Sequence, residues 1–337
     1  MKTTFAALAK GLAVGVAFAA LSVSAFAQDA GITVYNAQHE SLAQEWADAF
    51  TKETGIAVTI RQGSDLEVGN QLIQEGANSP ADVFLTENSP AMVLVDNAGL
   101  FEPLPADIIE QVPAQYRPEN GHWTGIAARS TVFAYDTRKL TEDTLPKTMD
   151  ELADPAWKGR WASSPSGADF QAIVAAYYAL KGEEATVAWL KGMKENTVVV
   201  RGNRAAMAAA NNGEVEGALI YHYYWFGDQA GTKESSANVA LHYFKHQDPG
   251  AFVSISGGGV LASSKHKEDA LKFLKFVTGA AGQTVLRDGT SFEYAVGVDA
   301  ASNAALTPLA DLDAPHVDPT QLDNIKASEL MTAAGLL

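Results

Sequence analysis

Three tyrosines and a histidine occupy four consecutive positions in the stretch LIYHYYWFGD, residues 219–228. A buried tyrosine usually places its ring in the core and hydrogen-bonds its hydroxyl, and one is normally enough at one point of the chain. A comparison lies in the same chain, where Tyr177 and Tyr178 sit inside the apolar helical run AIVAAYYAL and are interpreted as packing residues. The pair Tyr223 and Tyr224 instead follows a predicted strand, GALIY, and we interpret it as a candidate for chemistry.

Polar residues also follow three other predicted strand ends. His39 comes just after a strand that ends near residue 36, and Glu87 ends the strand segment DVFLTE. Ser166 and Gly167 follow the strand of RWASS. In open α/β sheets, ligands bind beyond the carboxyl ends of the strands. We therefore expect these groups and the tyrosine pair to face one ligand-binding crevice.

The residue types at these strand ends suit a hard, highly charged metal ion. Two phenolates, one carboxylate and a neutral imidazole together balance the charge of Fe(III), and all three donor types bind iron. Zn(II) prefers His and Cys, and Ca(II) prefers carboxylates and carbonyls. A free tyrosine has a pKa of about 10, so the cation must hold the phenols ionised. We therefore expect binding to release protons and to weaken on acidification.

The elements that must position these residues alternate between strand and helix. Residues 32–36 predict a strand, the apolar face of residues 42–50 predicts a helix, and residues 56–60 predict a second strand. Ser64 and Glu67 have capping-box spacing, which predicts a helix before the strand at 81–88. Strand, turn and helix alternate again from residue 159 to 226, and KEDALKFLKFVTG predicts a long amphipathic helix. This order is typical of the α/β class.

The first 27 residues have the pattern of a secretory signal. Lys2 and Lys10 give a basic start, an apolar stretch follows, and the tripeptide at 25–27 predicts cleavage after Ala27. The alternative of a membrane anchor lacks a flanking stop-transfer charge cluster, and the chain has no cysteine to carry a lipid. We expect an exported, periplasmic protein.

Composition excludes several classes of function. Removing residues 1–27 takes away two lysines and no acid, so the net charge moves from −16 to −18. This balance disfavours nucleic acid and anionic lipid as partners, and we expect no membrane-embedded segment. The absence of cysteine excludes disulfides and thiolate metal sites. The remaining length predicts two domains stabilised by their hydrophobic cores.

The sequence resembles the periplasmic ferric-ion-binding proteins, the iron-carrying members of the bacterial solute-binding proteins. The segments ITVYNAQHE, SPADVFLTEN, FAYDTRKL, HYYW and HQDPGAFVSISGGGVLASS match that family's pattern in order, over essentially the whole chain after the signal. The resemblance implies a two-domain type II clamshell, with a mixed, mainly parallel sheet flanked by helices in each domain. The expected N-terminal lobe is 28–130 plus 254–305, and the expected C-terminal lobe is 131–253 plus 306–337.

The resemblance also implies the residues of a metal site. The implied iron ligands are His39, Glu87, Tyr223 and Tyr224. A synergistic anion, phosphate or carbonate, would complete the coordination at a helix start, where backbone amides attract anions. The implied anion contacts are Ser166, Gly167, Ala168 and Asn203. Tyr221 stands where the family has asparagine, so it either hydrogen-bonds the anion or enters the coordination shell and makes the anion dispensable.

The function implied by the resemblance is periplasmic capture of Fe(III) in the cleft between the lobes and delivery to an inner-membrane ABC permease. We expect a monomer and no enzymatic activity. Two alternatives stay open. The same fold would suit an organic solute such as a polyamine or phosphonate, with Glu87 and Trp225 forming a polyamine site, and an exported metal-dependent oxidase would need turnover at the tyrosine site.

Three further patterns are interpreted as structural. The SGGG run at 256–259 lacks the Lys-Ser/Thr of a phosphate loop and is expected to allow close backbone approach. His242 and His246 lie four apart in an extended segment, where that spacing does not form the metal pair it would form on a helix. His222 is expected to point away from its neighbours Tyr223 and Tyr224.

Overall fold

The computed structural model describes residues 31–337, and the expected signal segment, residues 1–27, lies outside the described residues. The strands are β1 (Ile32–Asn36), β2 (Val58–Gln62), β3 (Val83–Leu85), β4 (Thr124–Asp136), β5 (Trp161–Ser163), β6 (Thr197–Val199), β7 (Gly217–Tyr221), β8 (Val239–His242) and β9 (Val253–Val260). The helices are α1 (Glu40–Thr54), α2 (Asp65–Glu75), α3 (Pro90–Asn97), α4 (Ala106–Ile109), α5 (Ala168–Asn196), α6 (Asn203–Asn211), α7 (Tyr223–Ala230), α8 (Lys267–Thr278), α9 (Ala280–Asp288) and α10 (Asn324–Ala333).

The strands form a mixed sheet in the order β2-β1-β3-β9-β4-β7-β5-β6, with β8 also paired to β4. The pairs β1–β2, β1–β3, β5–β6 and β5–β7 are parallel. The long strand β4 is antiparallel to its partners and changes them along its length. Residues 124–130 pair with β9, whereas residues 131–136 pair with β7 and β8. The two parallel groups are thus joined through β4.

The first parallel group follows the sequence expectation closely. Helix α1 buries Leu42, Trp46 and Phe50 on one face, as its apolar spacing predicts. The backbone N–H of Ser64 donates to Glu67 Oε2 (3.3 Å), so the expected capping box is present at the start of α2. Strand β2 begins two residues later than expected. Strand β3 is shorter than expected because its parallel partner β1 ends opposite its last residue.

The second parallel group is built by β5–α5–β6–α6–β7–α7 around a separate apolar cluster. Tyr177 of α5 is buried in that cluster, stacked on Trp189 with ring centroids 4.8 Å apart, and Tyr178 packs against it. The interpretation of this tyrosine pair as packing residues is therefore confirmed. His242 ends β8 and is extended as expected, whereas His246 lies in a turn beyond the strand with a φ of 61°, so the two do not share a helix.

The glycine run of β9 brings its backbone against Met92 of α3 and against Trp123, which precedes β4. A Cβ placed on Gly257 would lie 2.3 Å from Met92 Cγ and 3.2 Å from Trp123 Cε3. Both of these neighbours are fully buried and have no open space to move into. The close backbone approach expected from the SGGG sequence is confirmed.

Within residues 31–337, no helix combines the length and apolarity that crossing a bilayer would require. The lobe boundaries expected from the sequence remain a prediction.

We predict that Gly257→Ala destabilises the fold by about 1–3 kcal/mol, because an added methyl overpacks the contact with Met92. Chemical denaturation of the metal-free protein measures this change. Gly227→Ala is the matched control, since no atom lies within 4 Å of its Cβ position in helix α7. The control should stabilise the helix slightly, and equal losses in both variants would contradict the prediction.

Candidate metal centre

Three of the residues expected to bind a metal lie in direct contact. The Tyr223 hydroxyl donates to Glu87 Oε1 at 2.7 Å. His39 Nε2 lies 3.2 Å from the same Glu87 oxygen, and the His39 ring meets the Tyr223 ring edge-on at 4.8 Å. These side chains follow the carboxyl ends of β1, β3 and β7. The crevice position expected from strand order is therefore where the side chains meet.

Tyr224 completes the pair at the start of α7. Its ring centroid is 4.3 Å from that of Tyr223, and both hydroxyls point to one acceptor. That acceptor is Asp169 Oδ2, which lies 3.2 Å from the Tyr223 oxygen and 3.0 Å from the Tyr224 oxygen. The two phenols therefore converge on the carboxylates of Glu87 and Asp169.

Asp169 was not among the residues predicted from sequence. It is buried in the first turn of α5, directly after Ala168, and it accepts from Asn203 Nδ2 (2.7 Å) and Asn88 Nδ2 (3.1 Å) as well as from the phenols. A sequence signal existed, because an acid follows the SGA segment at a helix start beyond a strand. The segment was interpreted as a cradle for an external anion, so the neighbouring carboxylate was missed.

The residues expected to hold an anion surround this carboxylate. Ser166 and Gly167 precede α5, and Ala168 begins it, with Gly167 as the cap residue. Asn203 begins α6 and donates to both the Asp169 carboxylate and the Tyr224 oxygen, the latter at 3.3 Å. The position at the start of α5 thus already contains a negative group that belongs to the chain.

Tyr221, the departure from the family pattern, is fully buried at the end of β7. Its hydroxyl donates to Asn88 Oδ1 (3.3 Å) and to the backbone carbonyl of Asp169 (3.4 Å). Its ring centroid is 6.3 Å from that of Tyr223. Tyr221 therefore contacts the support of the phenol cluster.

His222 is directed elsewhere. Its ring is buried against Tyr294, with centroids 4.6 Å apart, and its Nδ1 accepts from the backbone N–H of Ser130 at 3.1 Å. Burial lowers the pKa of His222 to about 4. A neutral, buried imidazole in this environment agrees with the expectation that His222 points away from the tyrosine pair.

A second buried acid fixes the backbone that carries Glu87. Asp65, the first residue of α2, accepts from the backbone N–H groups of Glu87 (2.9 Å) and Asn88 (3.0 Å). The Asn88 side chain then bridges Asp65 and Asp169, while its oxygen accepts from Tyr221 and Ser254. The loop after β3 is thereby held rigidly on both sides of the candidate ligand.

The electrostatics of the cluster resist ionisation of the phenols. Burial, together with the negative charges of Asp169 and Glu87, raises the pKa of Tyr223 well above its usual value, and the same causes raise that of Tyr224. Burial and the Glu87 charge likewise raise the pKa of Asp169 and of Asp65. Only a nearby positive charge of high magnitude would convert these phenols to phenolates at neutral pH.

The buried Arg129 and the partly exposed His39 supply the positive charge at the site. Burial alone would raise the pKa of Glu87, but the hydrogen bond from His39 and the charge of Arg129 lower it overall. Burial alone would lower the pKa of His39, but the hydrogen bonds to Glu293 and Glu87 raise it to about 10. His39 is thus held between two carboxylates.

The donor set depends on the tyrosines. Within residues 31–337, no three His, Asp or Glu side chains are arranged to hold a metal ion by themselves. The two phenols and two carboxylates offer hard oxygen donors, and the imidazole adds one nitrogen donor. This combination matches the ligand preference of ferric iron.

Comparison with known proteins defines the class to which this fold and site belong. A family model described as bacterial extracellular solute-binding protein matches residues 78–318. The crystal structure of iron-bound HitA from Pseudomonas aeruginosa superimposes with a TM-score of 0.86 at 40% identity, covering 91% of this chain and 99% of that one. The chain belongs to the bacterial extracellular solute-binding protein family. Its fold is the type II periplasmic-binding-protein fold expected from the sequence.

Individual relatives of this chain are named for the binding of ferric iron. The Fe(3+)-binding periplasmic protein of Serratia marcescens is 63% identical over 322 residues, covering 96% of this chain and 94% of its own. The major ferric iron-binding protein of Neisseria meningitidis serogroup B is 39% identical over 310 residues, covering 91% and 93% of the two chains. The resemblance noted from sequence motifs is confirmed.

We predict that His39 gives the metal-free protein a pH-dependent stability. Its pKa is raised from 6.5 in the unfolded chain to about 10 in the folded protein. The stability it contributes is therefore fully present below pH 6.5 and is lost as pH rises through about 10. Urea unfolding across this range should show a decline in the free energy of unfolding that His39→Gln reduces.

His246→Gln is the control for that measurement, since His246 is an exposed histidine whose Nδ1 lies 3.6 Å from Asp313 at the surface. The control should keep the wild-type decline. A His39→Gln profile parallel to that of the wild type would contradict the prediction.

Proposed function

We propose that this protein captures Fe(III) in the periplasm and delivers it to an inner-membrane ABC permease, as a monomeric transport protein and not as an enzyme. The relatives from Serratia and Neisseria carry ferric iron binding in their names, which supports the same cargo here. The observation that carries the proposal is the convergence of the adjacent phenols of Tyr223 and Tyr224 on the carboxylates of Glu87 and Asp169.

The proposed ligands are the four side chains expected from the sequence, His39, Glu87, Tyr223 and Tyr224. In the structure the two protonated phenols donate hydrogen bonds to these carboxylates, Tyr223 to Glu87 and Tyr224 to Asp169. A bound Fe(III) ion would replace those protons as the partner of both oxygens, so loading must release them. Because the pKa of each phenol is raised, a cation of low charge would not ionise the pair. The site therefore favours a trivalent ion.

We further propose that Asp169 occupies the place expected for the external anion. Its carboxylate already accepts from Asn203, which is one of the residues expected to hold the anion. A phosphate or carbonate beside it would add a second negative charge in a buried site, which is unfavourable. Iron binding would then proceed without a synergistic anion, and Tyr221 would support Asp169 without coordinating the metal.

The lobes expected from the sequence would place this site between them, so that a bound metal would join the two lobes. With boundaries at 28–130 plus 254–305 and 131–253 plus 306–337, His39 and Glu87 belong to one lobe and the tyrosines and Asp169 to the other. The change of partners along β4, from β9 to β7 and β8, supports a crossing between lobes there. A metal ligated from both lobes would hold the cleft closed by hinge motion. The signal at residues 1–27 would direct export and would be cleaved after Ala27.

The alternative of an organic solute has less support. A polyamine carries single positive charges that are spread along a chain, and these would leave the phenols protonated in hydrogen bonds to carboxylates. A phosphonate would bring negative charge to a cluster of buried acids. Both alternatives remain outcomes of the spectroscopic test that follows.

We predict a broad absorption band between roughly 400 and 500 nm when the mature protein is titrated with chelated Fe(III), since hard phenolate ligands bind ferric iron directly. Tyr223→Phe or Tyr224→Phe should abolish or strongly weaken the band. The second tyrosine pair offers a matched control, and Tyr178→Phe in α5 should leave the band unchanged. A wild-type protein that leaves the iron on the chelator and shows no band would overturn the iron assignment and favour an organic solute.

We predict that phosphate and carbonate change neither the band nor the iron affinity of the wild-type protein, because Asp169 supplies the negative charge at the start of α5. Asp169→Asn removes that charge while keeping the shape of the side chain, so iron binding by this variant should weaken and should be restored in part by added phosphate. Parallel titrations with and without phosphate measure the effect. A wild-type band that shifts with phosphate would show that an external anion is bound.

A further inference from the structure

The carboxylate of Glu293 lies behind the imidazole of His39, on the side opposite Glu87. Glu293 Oε1 is 2.9 Å from His39 Nδ1, and the Glu293 side chain is fully buried. Glu293 belongs to the segment after α9, where its neighbour Tyr294 forms an antiparallel bridge with Ala128 of β4 through hydrogen bonds of 2.8 and 3.0 Å. This bridge fixes the backbone of Glu293 next to strand β4.

The second oxygen of Glu293 is fully used by other partners. Glu293 Oε2 accepts from Arg129 Nη2, from Gln38 Nε2 at 3.1 Å and from Ser256 Oγ at 3.4 Å. Arg129 and Gln38 are buried, so these contacts are protected from water. Because Oε2 carries the ion pair, Oε1 is left directed at His39.

The residues around Glu293 also hold the backbone of His39. Gln38 Oε1 accepts from the His39 backbone N–H at 2.7 Å and from Arg129 Nη2 at 3.2 Å. The ring and the backbone of His39 are therefore held by the same buried network. The carboxylate acceptor at Nδ1 keeps a proton on that nitrogen when a metal displaces the proton from Nε2, which faces Glu87 and the phenols.

We infer that Glu293 is a positioning residue for iron binding: it fixes the ring orientation and tautomer of His39, so that Nε2 meets the metal between Glu87 and Tyr223. The inference rests on the proposed capture of Fe(III). Carboxylates behind ligating histidines act in this way in metal sites generally, where they raise the basicity of the ligand. Here Arg129 and Gln38 hold the Glu293 carboxylate in place by donating to its second oxygen, Oε2.

A different role would predict a different pattern. If Glu293 served only to neutralise the buried Arg129, its removal would destabilise the protein whether or not residue 39 is a histidine. A positioning role acts through His39 alone. A double-mutant cycle with His39 therefore separates the two roles.

The experiment measures Fe(III) affinity by competition with a chelator for the wild type, Glu293→Gln, His39→Gln and the double variant. Glu293→Gln should weaken binding by roughly 10- to 100-fold, which is typical for loss of a carboxylate behind a metal-bound histidine. In the His39→Gln background the same change should have an effect within about threefold, since no imidazole remains to be oriented. The charge-transfer band should persist in Glu293→Gln, because the phenols are retained.

A spectroscopic measurement reports the His39 ring directly. The ¹⁵N spectra of histidine-labelled protein loaded with diamagnetic Ga(III) should show one His39 form with the proton on Nδ1. Glu293→Gln should change the Nδ1 resonance or give more than one ring state. An unchanged His39 signal would overturn the inference.

Controls keep the outcomes separate. Glu216→Gln disrupts a partly exposed ion pair with Arg160 at the opposite end of β7 and should leave iron affinity unchanged. If Glu293→Gln does not fold because Arg129 is left unpaired, Arg129→Met/Glu293→Gln removes both buried charges and should show the same dependence on His39. Equal losses in both His39 backgrounds would overturn the positioning role. A wild-type protein without the band would overturn the proposed function, and the inference with it.

Discussion

The candidate metal centre depends on one electrostatic constraint, which is that more acid is buried in one place than buried positive charge can neutralise. The buried or nearly buried acids at the candidate metal centre are Asp65, Glu87, Asp169 and Glu293. Arg129 lies among them and forms an ion pair with Glu293. Unpaired buried charge is strongly unfavourable, so the phenols stay protonated and the pKa values of Asp65 and Asp169 are raised above those of free carboxyl groups. A multivalent cation can take the place of those protons, so the same constraint creates the affinity.

The fold meets this constraint by drawing each group from a different strand end. Glu87 follows β3, Asp169 follows β5 at the start of α5, and Tyr223 follows β7 at the start of α7. The two parallel groups run in opposite directions through β9 and β4, and the carboxyl ends of both face the point where β4 changes partners, so short segments far apart in sequence reach one small volume. Asn88 joins two of them by donating to Asp65 and Asp169 while accepting from Tyr221. These hydrogen bonds hold the acids close to one another, so their mutual repulsion is built into the fold.

Much of this arrangement could be predicted from local sequence patterns. The capping box of Ser64 and the strand before Tyr223 depend on neighbouring residues and were predictable. The difference between the tyrosine pairs was also visible, since one lies in a helix core and the other follows a strand. Arg129 and Glu293 could not be found in the same way, whereas Asp169 follows the SGA segment and was overlooked. Whether an isolated acid or arginine is buried depends on which distant segments cover it, and no local pattern encodes that.

The lobe boundaries likewise cannot be derived from local sequence patterns. They were expected from the family resemblance, and no short pattern of residues marks them. The length of β4 is a tertiary feature as well, since its thirteen residues persist only because β9 covers one half and β7 and β8 the other.

Strand β4 carries Arg129 at the point where its hydrogen-bonding partners change. Residue 130 is the last that pairs with β9, and residue 131 is the first that pairs with β7. The Arg129 guanidinium, which forms an ion pair with Glu293 and whose carbon lies 5.7 Å from the centre of the Tyr223 ring, is therefore located beside the point where β4 changes partners. Bending at this point would reorient the Arg129 side chain as well as the two halves of the sheet. A change in the angle of β4 would therefore alter both the shape of the protein and the electrostatic potential at the phenols.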